Sequence, residues 1–343
     1  MTQSSRIYYL DVIRVLACLM VVMMHAPVPG GGLSGSVIVP ISMATAPCIG
    51  LFYMVSGALL LPTKERGIVF VKKRLGKVVW PILFWTLVAI VINGFTIGWM
   101  SVPEMMRTIL SIPFSVQGHG VMWFMYVLVG LYLAAPVISP WIERASRKEL
   151  LFYLVLWGIT LCYPILKLVL DINDSETGIL YYFCGYIGYF LLGYYLNRYG
   201  IGKSWFALLL LPIPFIVYGI FYAIGNKLNI YEMFWYLSIF CAMMCYSWFT
   251  IIRNSSNWID SWRDDARRFL VLFSNCTFGI YLMHIFVMRN FLWDTCHIAN
   301  LGGFLSFAVS FGGTLLISLV LTILISHLPG AENIIGYKAK KVK

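Results

Sequence analysis

Apolar stretches of about 20 residues, the length an α-helix needs to cross a bilayer, recur along the chain with short polar connections between them. A chain with 60% hydrophobic and 11% charged residues is too apolar for a soluble domain. The pattern therefore predicts a polytopic all-α membrane protein, one domain over residues 1–343. We expect ten spans, at about 7–28, 41–61, 79–98, 119–139, 150–170, 179–196, 204–224, 231–252, 270–291 and 302–327.

Basic residues are distributed unevenly between the predicted connections. With the N-terminus placed in the cytoplasm, 20 of the 25 lysines and arginines lie at or near the cytoplasmic side. The others are Arg14, within the first span, and Arg107, Lys167, Lys227 and Arg289 on the outer side. Cytoplasmic connections carry an excess of Lys and Arg, so we predict that both termini are cytoplasmic. The lipid bilayer is the expected surroundings, and the net charge of +11 needs no nucleic-acid partner to explain it.

Arg14 and His25 lie eleven residues apart within the first apolar run, IYYLDVIRVLACLMVVMMHAPV. Eleven residues turn a helix through three revolutions and roughly 20°, so both side chains project from one stripe, about 16 Å apart along the axis. A charge at such a depth costs about 2.5–3.5 kcal/mol in lipid, which favours a protein interior or a wet cavity. In the alternative interpretation, the arginine extends to the headgroups and the histidine only caps the span. The cavity interpretation makes both residues candidates for a site.

Further polar groups accompany the second and third spans. Ser56 and Gly57, within LFYMVSGALL, allow close approach of a neighbouring helix or of an extended ligand. A cluster of cations follows in VKKRLGKVVWP, where the third span leaves the cytoplasm. Such a cluster is either a topology determinant that contacts anionic lipid or a binding site for a phosphorylated ligand at a cavity mouth. Its members are Lys72, Lys73, Arg74 and Lys77.

The fourth and ninth spans also carry polar and aromatic candidates. His119 and Trp123 are one helical turn apart near the outer interface, where a tryptophan of the aromatic belt is the alternative explanation. Tyr281 and His284 share one helix face, and we expect His284 to reach a depth near that of His25. The scattered histidines and the lack of CxxC or HExxH spacing predict no metal site.

The segments LDVIRVLACLMVVMMH, LFYMVSGALL, KKRLGKVVWP, MWFMYVLVGLYLAAP and CTFGIYLMHIF, in this order, resemble the acyltransferase-3 family of bacterial integral-membrane acyltransferases. The resemblance covers nearly the whole chain, and its start is similar to stand-alone O-acetyltransferases of enterobacterial common antigen and other surface glycans. It implies transfer of an acyl group, by default acetyl, from cytoplasmic acyl-CoA to a glycan or glycolipid hydroxyl at the outer side of the bacterial cytoplasmic (inner) membrane. Acetyl-CoA is then a donor substrate, and no permanently bound cofactor is expected.

The resemblance also assigns residues. Arg14 and His25 match the essential pair of the family pattern, and the basic residues around Arg74 match the region implicated in donor binding. The ninth-span motif usually carries a serine where Asn275 or Thr277 stands here. Some relatives also have an extracytoplasmic hydrolase-like domain that is missing here, so we expect the membrane part alone, or a separate protein, to complete the transfer.

A base positioned at the acceptor hydroxyl is the minimal catalytic requirement, because a sugar hydroxyl is a poor nucleophile at neutral pH; such a base contributes about 10²–10⁴-fold. His25 is the candidate. Asp11 lies about 21 Å from His25 along the helix, so we expect it to pair with Arg14, one turn away. The orienting partner of His25 must come from another helix. The candidates are Glu232, Asp294 and Tyr281.

We expect Arg14 to hold a carbonyl or a phosphate-side part of the CoA arm, which threads from the basic cluster past Ser56 toward His25. Trp123 and His284 are predicted to support the site. A carrier for a glycolipid or an anion is the alternative, but it predicts inverted repeats with broken helices, which the sequence does not display. A non-catalytic scaffold would make Arg14 and His25 dispensable. The sequence is compatible with direct transfer or an acyl-enzyme intermediate, and with a monomer or a homo-oligomer.

Overall fold

The chain folds into helices, without strands, throughout the part that the computed structural model describes, which confirms the predicted all-α class. The described residues are 6–116, 120–171, 179–180, 183–200, 202–225 and 228–339. The helices in chain order are α1 (Tyr8–His25), α2 (Gly35–Thr45), α3 (Pro47–Leu60), α4 (Gly67–Thr96), α5 (Val102–Ser111), α6 (Trp123–Arg144), α7 (Arg147–Thr160), α8 (Tyr163–Leu170), α9 (Ile187–Tyr199), α10 (Ser204–Leu210), α11 (Ile213–Ala223), α12 (Ile230–Met233), α13 (Ile239–Asn254), α14 (Ser256–Asp260), α15 (Asp264–Ile285), α16 (Gly303–Ser326) and α17 (Ala331–Ile334).

Within those ranges, seven helical stretches are long and apolar enough to cross a membrane. The bent pair α7 and α8, whose axes meet at 42°, adds an eighth if it forms one span. The two other predicted spans coincide with α9 and α13, whose 13 and 16 residues extend about 20 and 24 Å, less than the roughly 30 Å of hydrocarbon. Each predicted span thus contains helix, although helix α9 begins only at residue 187 of the predicted span 179–196 and helix α13 only at residue 239 of the predicted span 231–252. The count of ten and the cytoplasmic termini stay predictions.

Helices α3 and α9 pack with their backbones in contact. A Cβ atom at Gly57 would lie 1.8 Å from the Phe190 carbonyl oxygen, and one at Gly193 would lie 1.9 Å from the Met54 carbonyl oxygen. Only glycine fits at both positions, as at the close helix crossings of membrane proteins. The helix-packing role considered for the Ser56-Gly57 pair therefore applies to Gly57, and Ser56 lies on another side of α3.

Helix α1 lies at the centre of the molecule, between α3 and α15, and also contacts α2, α13 and α16. Its apolar residues Ile13, Ala17 and Val22 are fully buried. Because helices surround α1, the side chains of Arg14 and His25 lie inside the protein and not against lipid.

Helix α16 packs through a stripe of small hydroxyl residues against α15 and the segment that follows it. The stripe recurs at every fourth position and is buried along its whole length. Small residues let helices approach closely where no hydrophobic force distinguishes protein from lipid. The members are Ser306, Ser310, Thr314, Ser318, Thr322 and Ser326.

Two irregular segments complete the fold near the functional residues. Helix α15 continues as a π-helix over Phe286–Thr295, a rare geometry that is frequent at functional sites. After α16 the chain turns back through α17, which packs against α4. The Trp85 indole N–H donates to the Ile334 carbonyl over 2.9 Å, and Ala331 and Ile335 are fully buried. Residues 331–337, called the C-terminal segment below, are therefore part of the packed structure.

Candidate active site

Two cavities lie at different heights along α1, one beside Arg14 and one beside His25. Their volumes are about 330 Å³ and 400 Å³, within the range of small-molecule sites. The Arg14 cavity is lined by Arg14, Ser56, Lys77, Tyr132, Asn275 and Tyr337, among others. The His25 cavity is lined by His25, Trp123, Tyr231, Trp235, Tyr236 and Arg289, among others. Arg14 and His25 thus both face internal space, as the cost of placing them in lipid predicts.

The Arg14 guanidinium is held beside an ion pair but is not its main member. Asp11 is buried and accepts from Arg6, Nε to Oδ2 over 2.7 Å and Nη2 to Oδ1 over 2.9 Å. The Arg14 Nη1 atom lies 4.0 Å from Asp11 Oδ1. The expected Asp11–Arg14 pair is thus the looser of two contacts, because Arg6 just before the helix engages both carboxylate oxygens. The Arg14 side chain keeps about a third of its surface exposed, directed into the cavity.

Helix α15 supplies the polar wall opposite α1. The Ser274 hydroxyl donates to Asp11 Oδ1 over 2.6 Å, and Arg6 Nη2 donates to Asn275 Oδ1 over 3.1 Å. Both α15 residues line the Arg14 cavity. The resemblance implied a serine at 275 or 277; here the residue that contacts the buried carboxylate is Ser274, one position before Asn275.

Two members of the basic cluster lie at the Arg14 cavity. Lys77 lines it together with Ser56, whose hydroxyl donates to a carbonyl of its own helix. Arg74 lies close enough to Arg14 and Tyr132 to interact with both electrostatically. These are the cluster positions that the structure brings to Arg14.

The other two members of the cluster are directed elsewhere. The Lys73 ammonium lies 2.5 Å from a carboxylate oxygen of Glu65, and both side chains are exposed. Lys72 lines a separate shallow depression with Gly67 and Pro136. Of the four cations predicted to bind the donor, Lys72 and Lys73 therefore do not line the Arg14 cavity, because Lys73 is paired with Glu65 and Lys72 lies at another depression.

The C-terminal segment forms part of the Arg14 cavity. Gly336 and Tyr337 line it, and the Gly336 backbone lies against the Phe278 ring of α15. The last predicted span ends at about residue 327, so no role was predicted for this region from the sequence. The only signal for a buried role is an apolar pair, Ile334 and Ile335, between glycines.

A single ring, that of Tyr281, lines both cavities. Tyr281 is buried, and its hydroxyl donates to the Val121 carbonyl, on the His25 side. Phe124, from the Arg14 side, meets the Tyr281 ring edge-on with centroids 5.3 Å apart. Tyr281 and Phe124 therefore form an aromatic partition between the two cavities.

Two histidines from different helices lie together at the His25 cavity. The ring centroids of His25 and His284 are 5.4 Å apart, which confirms their predicted common depth. His284 is fully buried, with Nδ1 2.5 Å from the Tyr281 carbonyl oxygen. A carbonyl can only accept, so Nδ1 of His284 carries a proton. No described residue hydrogen-bonds to the His25 ring, whose nitrogens are available to a ligand in the cavity.

The acidic partners expected for His25 do not reach it. Glu232 is 56% exposed and lies 3.9 Å from the Lys167 ammonium. Neither Glu232 nor Asp294 lines the His25 cavity. Glu232 sits on a single helical turn, α12, that directs its neighbour Tyr231 into the cavity instead. Of the three candidates left open for the orienting partner, Tyr281 lines the His25 cavity, and Glu232 and Asp294 do not.

Aromatic residues and one cation complete the His25 cavity. Trp123 lines it and packs against Tyr236, with ring centroids 5.3 Å apart, while His119 lies outside the described residues. Arg289, from the π-helix, was not assigned to the site by sequence analysis. A helical period does not place it there, because the π-helix changes the angle between successive residues.

The described residues contain no group of three or more His, Cys, Asp or Glu that could hold a metal ion. Together, the two cavities offer cations for an anionic ligand, a histidine for proton transfer and aromatic faces for an apolar or sugar ligand.

Comparison with known proteins identifies the family. Neither a curated protein nor a solved structure matches the chain. Residues 7–323 match the acyltransferase-3 family model, described as an acyltransferase domain. The match spans α1 to most of α16, and so includes Arg14, His25 and Tyr281 but not Gly336 or Tyr337. The chain therefore belongs to the acyltransferase-3 family of membrane acyltransferases.

Proposed function

We propose that the protein is an O-acyltransferase of the bacterial cytoplasmic membrane. It moves an acyl group, by default acetyl, from cytoplasmic acyl-CoA to a hydroxyl of a cell-surface or lipid-linked glycan at the outer side. The observation that carries this proposal is the pair of cavities along one helix, with a cation in one and a histidine in the other. Family membership supports acyl transfer over a carrier without catalysis.

The Arg14 cavity has the chemistry of a donor site. Arg14, Lys77 and the neighbouring Arg74 supply positive charge, and guanidinium groups bind phosphate oxygens in a bidentate manner. Coenzyme A carries phosphates at one end and a thioester at the other. With its phosphates at these cations, an extended pantetheine arm points along α1 toward His25, which lies roughly 16 Å from Arg14 along the helix axis.

The His25 cavity supplies the base. His25 accepts the proton of the acceptor hydroxyl as its oxygen attacks the thioester carbonyl. A C–O bond forms, the C–S bond breaks, and the proton passes from His25 to the departing thiolate, giving an ester and free CoA. His284, 5.4 Å away, orients the first ring through packing rather than as a carboxylate would.

The partition imposes one movement on this reaction. Tyr281 lies between the cavities, so its ring has to move before a thioester in the Arg14 cavity can meet a hydroxyl in the His25 cavity. Its hydroxyl is held by one hydrogen bond to the Val121 carbonyl, which is the contact such a movement breaks.

The test uses purified protein in lipid nanodiscs, with acetyl-CoA labelled in the acetyl group and a glycolipid extract from bacterial envelopes. We expect thiol release to equal the label recovered on glycolipid, and His25→Ala to abolish both. His327→Ala is the matched control, because His327 is exposed at the end of α16 and lines neither cavity. Glycolipid movement without thiol release would instead identify a carrier. Mass spectrometry of surface glycans from cells with and without the protein then identifies the acceptor.

A further inference from the structure

We propose that the acceptor is an anionic glycan, whose carboxylate or phosphate group binds Arg289 while a neighbouring sugar ring stacks on the aromatic wall of the His25 cavity. This inference rests on the proposed function and specifies its acceptor. It is carried by the composition of the cavity lining, which differs from what a neutral sugar or a lipid tail requires.

The aromatic wall consists of rings that contact one another and keep part of their surface open to the cavity. Trp235 and Tyr236 have centroids 4.8 Å apart, and Trp123 packs on Tyr236 at 5.3 Å. Tyr231 continues the wall, 4.9 Å from Trp235. Aromatic faces carry negative partial charge, and the C–H groups on one face of a pyranose carry positive partial charge. Such a wall therefore suits a sugar ring, but it has no ionised group that would select a charged sugar.

Arg289 supplies what the aromatic wall lacks. Its guanidinium carbon lies 5.9 Å from the centre of the Trp293 ring, one turn on, which supports the side chain without neutralising it. Arg289 forms no ion pair with any described residue. None of the described residues that line the His25 cavity is a carboxylate. Among the described residues the Arg289 guanidinium thus has no counter-ion, and a guanidinium pairs best with a carboxylate or a phosphate.

Arg289 and His25 line the same cavity, so one ligand can contact both. The cavity volume of about 400 Å³ lies toward the lower end of the range for small-molecule sites. An anionic group at Arg289 fixes one end of the acceptor. A hydroxyl elsewhere on the same or the next sugar then faces His25, so Arg289 selects both the ligand and the hydroxyl that is presented.

Binding can be tested without acyl transfer. Three probes share the ring configuration of β-D-glucose and differ in charge: methyl β-D-glucoside, methyl β-D-glucuronide and β-D-glucose 1-phosphate. Their affinities for the protein in phosphatidylcholine nanodiscs are measured by saturation-transfer NMR, which detects weak ligands. We expect at least one charged probe to bind at least tenfold more tightly than the glucoside. The tighter of the two identifies a sugar acid or a phosphate as the anionic group.

Three variants separate charge from stacking. Arg289→Gln should remove the preference for the charged probe, because glutamine keeps a polar stem without the charge. Arg107→Gln is the matched control and should keep the preference, because Arg107 is an exposed cation on α5 that does not line the cavity. Trp235→Leu should weaken all three probes by a similar factor.

Equal binding of the three probes to the unaltered protein, or no binding of either charged probe, would overturn the proposal. A preference that persists in Arg289→Gln would also overturn it. Because no donor or turnover is involved, these results are independent of the labelled-acetyl assay: a protein that transfers acetyl groups but binds the probes equally refutes the anionic acceptor alone.

Discussion

The two cavities along α1 have similar volumes but different polar groups. Beside its aromatic rings, the Arg14 cavity presents two cations, hydroxyls and an amide, and its walls come from α1, α3, α4, α6, α15 and the C-terminal segment. Arg289 is the one guanidinium or ammonium group among the described residues that line the His25 cavity, where it accompanies a histidine and aromatic rings. Under the proposed function, this difference suits two ligands that meet rather than one ligand that passes through. Each variant below, other than the control, changes one of the two cavities and should leave the ligand of the other unaffected.

The largest effect is expected at His25. His25→Ala should reduce acyl transfer by at least about 100-fold, because it removes the general base from the cavity proposed to hold the glycan hydroxyl. Affinity for acyl-CoA, measured by calorimetry, should be unchanged, since His25 does not line the Arg14 cavity. Turnover within threefold of the unaltered protein would remove His25 from the mechanism, and a loss of donor affinity would show that the cavities do not hold separate ligands.

A smaller loss of activity is expected at Arg14, on the donor side. Arg14→Lys keeps the charge but loses the planar guanidinium, so thiol release should fall at least tenfold, roughly 1.4 kcal/mol of transition-state stabilisation. Arg14→Ala should fall further yet still fold, because the buried Asp11 carboxylate keeps both contacts to Arg6 and the one to Ser274. Folding is followed by size-exclusion chromatography and thermal unfolding. Full activity of Arg14→Lys would mean that only the charge matters.

The basic cluster should divide into two classes. Lys77→Gln should raise the KM for acyl-CoA about fivefold, roughly 1 kcal/mol, the upper end for a solvent-exposed ion pair. Lys73→Gln is the matched control on the same helix and should change KM little, because its ammonium is paired with Glu65 outside the cavity. The Lys77 effect should shrink as salt is raised. Equal changes in KM at both positions would indicate that the basic cluster determines topology or contacts lipid and does not bind the donor.

The smallest effect is expected at Tyr337, outside the family match. Tyr337→Ala should raise the KM for acyl-CoA about twofold, near 0.5 kcal/mol, because part of an apolar wall is lost from the Arg14 cavity alone. Tyr337→Phe should leave KM unchanged if the ring, and not the hydroxyl, contacts the donor. Probe binding in the His25 cavity should be the same in both variants, and any change there would show that the partition does not isolate the two sides.

Hydropathy and helical period predicted those parts of the site that depend on one helix at a time. Residues 14 and 25 share α1, and residues 281 and 284 share α15, so simple spacing placed them correctly. The position of Arg289 depends on a π-helix, and that of Glu232 on a single turn after a connection. Neither geometry has a hydropathy signature, and side-chain direction there was accordingly missed or wrong.

Packing between helices was predicted less well than the helices themselves. Asp11 was expected to pair within α1, but its nearer partners come from the preceding residues and from α15. Segment length was also predicted poorly, because α9 and α13, with 13 and 16 residues, are shorter than the spans predicted at those places. The small-residue stripe of α16, by contrast, is legible in the sequence as hydroxyl residues at every fourth position.

The glycine contacts between α3 and α9 restrict how this protein can move. Backbones that touch at Gly57 and Gly193 cannot slide or rotate past each other without first separating, because neither position has room for one more carbon atom. Ser56 lies on α3, so its position relative to α9 is fixed as long as these contacts hold. An opening of the Arg14 cavity that leaves the contact between α3 and α9 intact therefore involves its other walls, where Phe124, Tyr281 and the C-terminal segment meet.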